Sequence, residues 1–372
     1  MRMKREVGFS MLELLVATAI LVIVVAVTLG ALNDALHANE GVTLLADMME
    51  NLRAGMNYMV RDLIQAGEGI PTGGITIPNN TAGGVCDNTA TPINRPAPAG
   101  LALTFSQCYT ALPAVAPGPA LDPAVVAPAG AGQVLVRASD IISVLYVDNT
   151  VQWHNFPPIN NPSNPACGGT ISAAGDSVTF DGKAACTPLP AGNAAVQPGD
   201  LMMFTNAAGN ILQTVTAVNA QTLKFAAGDA FGLNGRGDPQ GTIKHIQQPI
   251  NSGNYPPTSA IRVWLVSYYI DNAADPLRPR LMRQVNFRQA QPVGEVIEDL
   301  QVSYDIVNAL ATVPAMNAKT PVQPDTPAQI RKANLYLGAR SDAPYSQTKQ
   351  YFRNNLVTQV SFRSLAFVSR YQ

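Results

Sequence analysis

Gly8-Phe9-Ser10-Met11-Leu12-Glu13-Leu14-Leu15-Val16-Ala17 follows a short stub that carries Arg2, Lys4 and Arg5. From Leu14 to Leu32 the chain then runs 19 positions without a charge. At ~1.5 Å per residue a helix of that length nearly crosses a ~30 Å hydrocarbon core. A carboxylate inside such a span costs on the order of 2.5–3.5 kcal/mol on insertion scales. Membrane anchoring alone does not call for Glu13, so whatever offsets its cost is expected to be the function.

Two simpler readings account for less. A cleavable signal peptide could use Ala17-Thr18-Ala19 as its small-residue site, but its apolar region would shrink to Phe9–Val16 with Glu13 inside it. A plain signal anchor explains the span and the basic residues on its cytoplasmic side. It leaves Glu13 without a reason.

The helical pattern continues past the span. Val42, Leu45, Met48, Leu52, Met56, Met59 and Leu63 recur at three- and four-residue steps. No proline occurs before Pro71, and Gly67-Glu68-Gly69-Ile70-Pro71 is a stop signal. The spacing predicts one helix from Phe9 to about Ala66, ~85 Å long at ~1.5 Å per residue. The apolar stripe lasts three heptads without patterned flanking charges, so it is expected to pack on the protein's own sheet rather than in a coiled coil. Gly30, Gly41 and Gly55 each weaken such a helix by ~1 kcal/mol relative to alanine.

From residue 71 the texture changes to short β-branched and aromatic runs bounded by Pro, Gly and Asn. Strands are expected at Leu101–Phe105, Gln133–Arg137, Ile141–Val147, Leu201–Phe204, Ile211–Val218, Thr222–Phe225, Ile261–Ile270, Leu281–Val285, Val296–Ile306, Ile330–Leu337 and Leu356–Phe367. No βαβ alternation appears, so the fold class is α+β with mainly antiparallel sheets. Gly and Pro reach 29 each in 372 residues while charged residues are only 13%, a composition closer to a loop-rich exported protein than to a cytosolic enzyme.

The search for chemistry returns almost nothing. The three histidines, His37, His154 and His245, are far apart and lack metal-ligand spacing. No nucleophile elbow, zinc-helix or phosphate-loop motif is present. Gly67-Glu68-Gly69 follows no strand and reads as a turn. Arg236-Gly237-Asp238 has the form of an exposed turn. No catalytic, cofactor-binding or metal residue is therefore expected, and no small-molecule substrate. From Arg331 onward seven Lys or Arg face a single acid, Asp342, which alternating outward residues on a solvated strand would explain. The whole chain has a net charge of −1, so nucleic acid is not expected as a partner.

The opening segment resembles the processing site of type IV prepilins and of the related pseudopilins of type II secretion. The basic leader, Gly8 before the cut, Phe9 after it and Glu13 as the fifth mature residue share one register. The resemblance implies cleavage of residues 1–8 by a prepilin peptidase, N-methylation of Phe9, and pairing of Glu13 with the amine of a Phe9. Trp264–Asp271, Arg280–Gln284, Ile297–Asp305, Leu335–Ser341 and Phe352–Arg363 are similar to the strand series of large minor pilins of the PilW type. This implies a long helix over 9–68, spanning the inner membrane at about 9–32, and a periplasmic β-rich head over 69–372. Residues 154–250 depart from a compact pilin head and read as an inserted β subdomain. The implied partners are other minor and major pilins, the peptidase and inner-membrane lipid, and the implied role is priming or capping a type IV pilus.

Cys86, Cys108, Cys167 and Cys186 would then lie in the oxidising periplasm. Three connectivities are open; the sequential pairs Cys86–Cys108 and Cys167–Cys186 are favoured because each would staple a loop of about 20 residues, worth ~3 kcal/mol on chain-entropy estimates. A minor pseudopilin of type II secretion shares the leader and helix. A tip adhesin or DNA-binding module, acting through the insert or the basic tail, is the alternative of another class.

Overall fold

The structure, a computed structural model, describes residues 10–78, 93–105, 110–126, 136–156, 168–181, 195–235, 243–247, 256–275, 277–307, 315–321 and 327–366. One helix, Met11–Gln65, runs unbroken through Gly30, Gly41 and Gly55. It ends where the sequence placed its stop. The Ala66 amide donates to the Leu63 carbonyl, and Gly67 and Gly69 then take positive φ of 82° and 68°. At Gly69 a Cβ would also fall 2.7 Å from Val147 Cγ2, so both backbone conformation and space require glycine there. The Gly67 amide donates to Leu145 and the Val147 amide to Glu68, which ties the helix end to the central sheet.

The rest is antiparallel sheet. The central sheet has seven strands built around Thr258–Asp271. That strand pairs along one edge with Ile142–Phe156. Its other edge takes Leu201–Asn206 over the first half and Arg280–Val285 over the second. Gly209–Thr214 and Gln291–Glu295 extend the sheet outward. A second sheet of four strands runs Ala315–Ala318, Ile297–Ile306, Ile330–Arg340 and Arg353–Ser361 in spatial order. A third, also of four, joins Ala217–Asn219, Thr222–Lys224, Ser177–Phe180 and Gly169–Ile171. The architecture is α+β, a long N-terminal helix on a mainly antiparallel β-rich head.

The buried stretches of the central strands are largely apolar because that sheet is covered on both faces. Leu201, Met203 and Val263 point into the core shared with Met48, Leu52, Met56, Met59 and Leu63 of the helix. Met202, Phe204 and Ala260 point the other way, into a separate core with Val178, Leu223 and Phe225 of the third sheet. Within 154–250, then, residues 201–214 are strands of the central sheet, while 169–180 and 217–224 form the layer that covers it.

The expected strand Ile211–Val218 is split between two sheets, as Gly209–Thr214 and Ala217–Asn219, and three other expectations need correction. Val42 and Leu45 are exposed, because the buried face of the helix begins only at Met48. Val296 is not a strand residue: it takes φ +54° between Gln291–Glu295 and Ile297–Ile306. The last strand stops at Ser361, where the Phe362 amide donates to Arg331, and Arg363–Ala366 turns into a short helix. That turn buries Phe362 and Leu365, an end that an apolar run alone does not distinguish from more strand.

Candidate functional site: the N-terminal helix and its anchors

The first half of the helix is bare. Every large apolar side chain from Met11 to Leu36 is 45–90% exposed. The segment is long and apolar enough to cross a bilayer, and none of it is covered. Its two threonine hydroxyls are satisfied internally: those of Thr18 and Thr28 donate to the carbonyls of Leu15 and Val25 at 2.9 Å. That is what an apolar surrounding requires of a hydroxyl.

Glu13 lies in the first turn and completes a capping box. The Ser10 amide donates to its carboxylate at 2.9 Å, and the Glu13 amide donates to the Ser10 hydroxyl at 3.2 Å. Two helix-end donors are thereby satisfied. Sequence reasoning missed this local role, although Ser10-x-x-Glu13 before an apolar run is its signature. Gly8, Phe9, all four cysteines and the Arg236-Gly237-Asp238 tripeptide lie outside the described residues.

Farther along, the loop joining the last two long strands closes on the helix. The Ser346 amide donates to Glu40 at 3.1 Å, and its hydroxyl donates to the other Glu40 oxygen. His37 Nδ1 lies 2.9 Å from the same hydroxyl. Gly41 leaves room for the rings of Tyr345 and Phe352, which would lie 3.6 and 3.9 Å from a Cβ there. The Ser346 hydroxyl, more than any other group, holds the Glu40 carboxyl below its usual range.

The last turns of the helix carry the strongest anchor. Asp62 is only 3% exposed. It accepts from the Tyr268 hydroxyl at 2.5 Å, the Tyr146 hydroxyl at 3.3 Å, and Arg283 through Nε at 2.6 Å and Nη2 at 3.2 Å. One carboxylate thus meets three strands of the central sheet. Burial first, and then the Asp62 charge, push the Tyr146 phenol up to about 12 and Tyr268 higher still. Asp62 was legible as an acid on the face of Met59, three residues away. Its partners, about 80 to 220 positions downstream, carried no local signal.

Two further charge clusters fix the sheets. Asp200 is fully buried and binds Arg262 at 3.3 Å and Arg288; Arg262 also grips Asp148 at 2.5 Å. Burial alone would raise the Asp148 carboxyl, but hydrogen bonds from Thr150 and Arg262 outweigh it and hold it low. In the second sheet Glu298 lies between Arg340 and Arg353, at 2.9 and 3.0 Å. This corrects the reading of the basic tail. Arg340 is 2% exposed and Arg331 is half-buried with its Nη1 on two carbonyls, so the excess positive charge is not a solvated stripe.

Among the described residues no group of three or more His, Cys, Asp or Glu could hold a metal ion. His37 and His245 lie apart, one on the helix and one in a short turn near 245–247. The arrangement can hold, orient and dock a helix. No family model and no curated protein matches the chain. Among solved structures it is similar to a type IV-like pilin from Thermus thermophilus, at 12% identity and a TM-score of 0.18, over 45% of this chain and 84% of that one.

Proposed function

We propose that the chain is a membrane-anchored minor pilin of the PilW type that takes part in assembling a type IV pilus. The observation that carries this reading is the division of a single helix. Met11 to Leu36 is wholly uncovered apolar surface, while Met48 to Leu63 is locked into the head. A bare apolar rod fixed to a rigid head suits transfer between a bilayer and the packed core of a filament, since both offer apolar cover. Residues 1–8 would be removed, Phe9 would carry the new amine, and Glu13 would pair with that amine on a neighbour. The head would face the periplasm and the partners would be other pilins.

The test separates the cap from the charge. Glu13→Gln keeps a capping-box residue at the third position and removes the charge, whereas Glu13→Ala removes both. Both variants are expected to be processed at Gly8 and to fail in pilus incorporation, and Gly8→Ala to block processing. Incorporation of Glu13→Gln at the wild-type level, or normal removal of the leader from Gly8→Ala, would overturn the reading.

A further inference from the structure

Beside the Asp62 cluster, the central sheet holds a cleft of about 290 Å³. Its walls are Tyr146, Trp264, Arg283, Arg288, Gln289 and Gln291, with Val285 in between. Nothing in the assembly reading uses it. At that volume it sits near the lower end of the ~300–1,000 Å³ range of small-ligand sites, so it suits one ring rather than an extended chain.

The two guanidiniums are positioned from behind. Arg283 commits Nε and Nη2 to Asp62, and Arg288 commits Nη2 to Asp200. Both aspartates are buried, at 5% and 0% side-chain exposure, and neither lines the cleft. A guanidinium has five N–H donors in a fixed fork, so two oriented forks contribute to a wall that contains no acid. Trp264 is held in turn, with the Arg262 and Arg288 guanidiniums 4.6 and 4.8 Å from its ring centroid. Arg283 cannot swing away without leaving buried Asp62 without its counter-ion, and a swing of Arg288 would leave buried Asp200 on Arg262 alone, which keeps the wall preorganised.

Charge balance narrows the ligand. Arg262, Arg283 and Arg288 face Asp62, Asp148 and Asp200, so the formal charges cancel across the cluster. One carboxylate can take the fork N–H donors that the aspartates leave unused, at the cost of one uncompensated charge, whereas a phosphate dianion would bring two. The remaining walls are two amides and a phenol, which suit hydroxyl groups, together with the indole and Val285 for apolar carbons. We propose that this cleft binds an acidic sugar of the uronate type, its carboxylate on Arg283 and Arg288 and its hydroxyls on Gln289 and Gln291. The inference is independent of pilus assembly, since any membrane-anchored head could present such a site.

The chain has two tryptophans, Trp153 and Trp264, so Trp153→Phe leaves the cleft indole as the sole reporter. In the full chain held in detergent, glucuronate and galacturonate should give a saturable change in its fluorescence. Glucose, acetate and inorganic phosphate should bind at least about tenfold more weakly. Arg288→Gln should weaken uronate binding by about tenfold or more. Should that variant fold poorly, the Gln289→Ala, Gln291→Ala double variant, which alters two exposed turn-side residues, should weaken binding at an unchanged thermal midpoint. The proposal is overturned if folded protein shows no saturable uronate response, if glucose, acetate or phosphate binds as tightly, or if folded variants bind like wild type.

Discussion

Replacing Asp62 with alanine should strip the helix of its strongest polar anchor. The substitution removes four hydrogen bonds at once and leaves the Tyr268 hydroxyl, on a residue with no exposed surface, without its acceptor. A buried donor so abandoned costs ~1–3 kcal/mol. Arg283 loses its counter-ion while its side chain keeps 22% exposure, which places it toward the lower end of the ~3–5 kcal/mol typical of a broken buried pair. These losses overlap, so the expected destabilisation is ~3–5 kcal/mol overall. At ~2–4 °C per kcal/mol for a domain of this size, the thermal midpoint should fall by roughly 6–20 °C. The assay is thermal unfolding of the full chain in detergent, with Arg283→Met and the double variant completing a cycle. The double variant should be more stable than Asp62→Ala alone, because no charge is then stranded. A loss below ~1 kcal/mol for Asp62→Ala, or additivity within ~0.5 kcal/mol across the cycle, would refute the anchor.

The same cluster predicts an alkaline weakness. Both phenols titrate higher in the folded protein than the ordinary 10.0; a raised folded value means stability is fully present below the unfolded value and is lost as pH rises through the folded one. Urea midpoints should therefore decline above pH about 10, and Tyr268→Phe should flatten that decline; an unchanged slope would exclude Tyr268 as its source. At the neck, Ser346→Ala should raise hydrogen exchange across 341–352 while leaving the thermal midpoint within error, because partly solvated polar contacts contribute little. An unchanged exchange pattern would show that the contact does not hold the loop. Gly55→Ala should destabilise the head despite a helix-propensity gain of ~1 kcal/mol, since its Cβ would lie 2.9 Å from a terminal carbon of fully buried Leu281; overpacking costs ~1–3 kcal/mol. Gly30→Ala, with no atom within 4 Å of the added carbon, should leave the head's midpoint unchanged.

What could be read from the sequence was what depends on neighbours in the chain. The helix announces itself through an unbroken apolar run, a stripe and a glycine stop, and its observed end at Gln65 agrees with that stop. Leu201–Phe204 and Ile261–Ile270 were legible because a strand covered on both faces is apolar at most positions. Ile142–Phe156 was legible only in its first half. It continues through Asp148, Asn149 and Thr150, polar residues that look like a break. Asp148 is held there by Arg262, 114 positions away, a contact no local pattern reveals. The basic tail misled for the same reason. The acid that pairs with Arg340 and Arg353 is Glu298, one strand away from the first and two from the second. The Asp62 cluster and the cleft beside it are likewise products of strand order rather than of motif.

Glu13 illustrates how a local and an assembled role can share one side chain. A capping interaction is worth ~0.5–2 kcal/mol, whereas an acid at the centre of a span costs on the order of 2.5–3.5 kcal/mol. The cap by itself therefore falls short wherever the first turn is drawn fully into hydrocarbon. It suffices near the interface, where the charge keeps access to water and the helix end still needs its donors satisfied. Within the proposed assembly, the capping box would stabilise a subunit waiting in a membrane, with Glu13 at the bilayer edge and the apolar side chains of Met11 to Leu36 in lipid. Moving that turn into a filament core, as proposed, would remove the water but not the charge. A buried anion is then tolerable only against a buried cation with good geometry. Within the proposed assembly, the amine of a neighbouring Phe9 meets that need. The cap explains why an acid can stand at this position, and the proposed neighbour explains why the acid should be needed once the subunit leaves the bilayer.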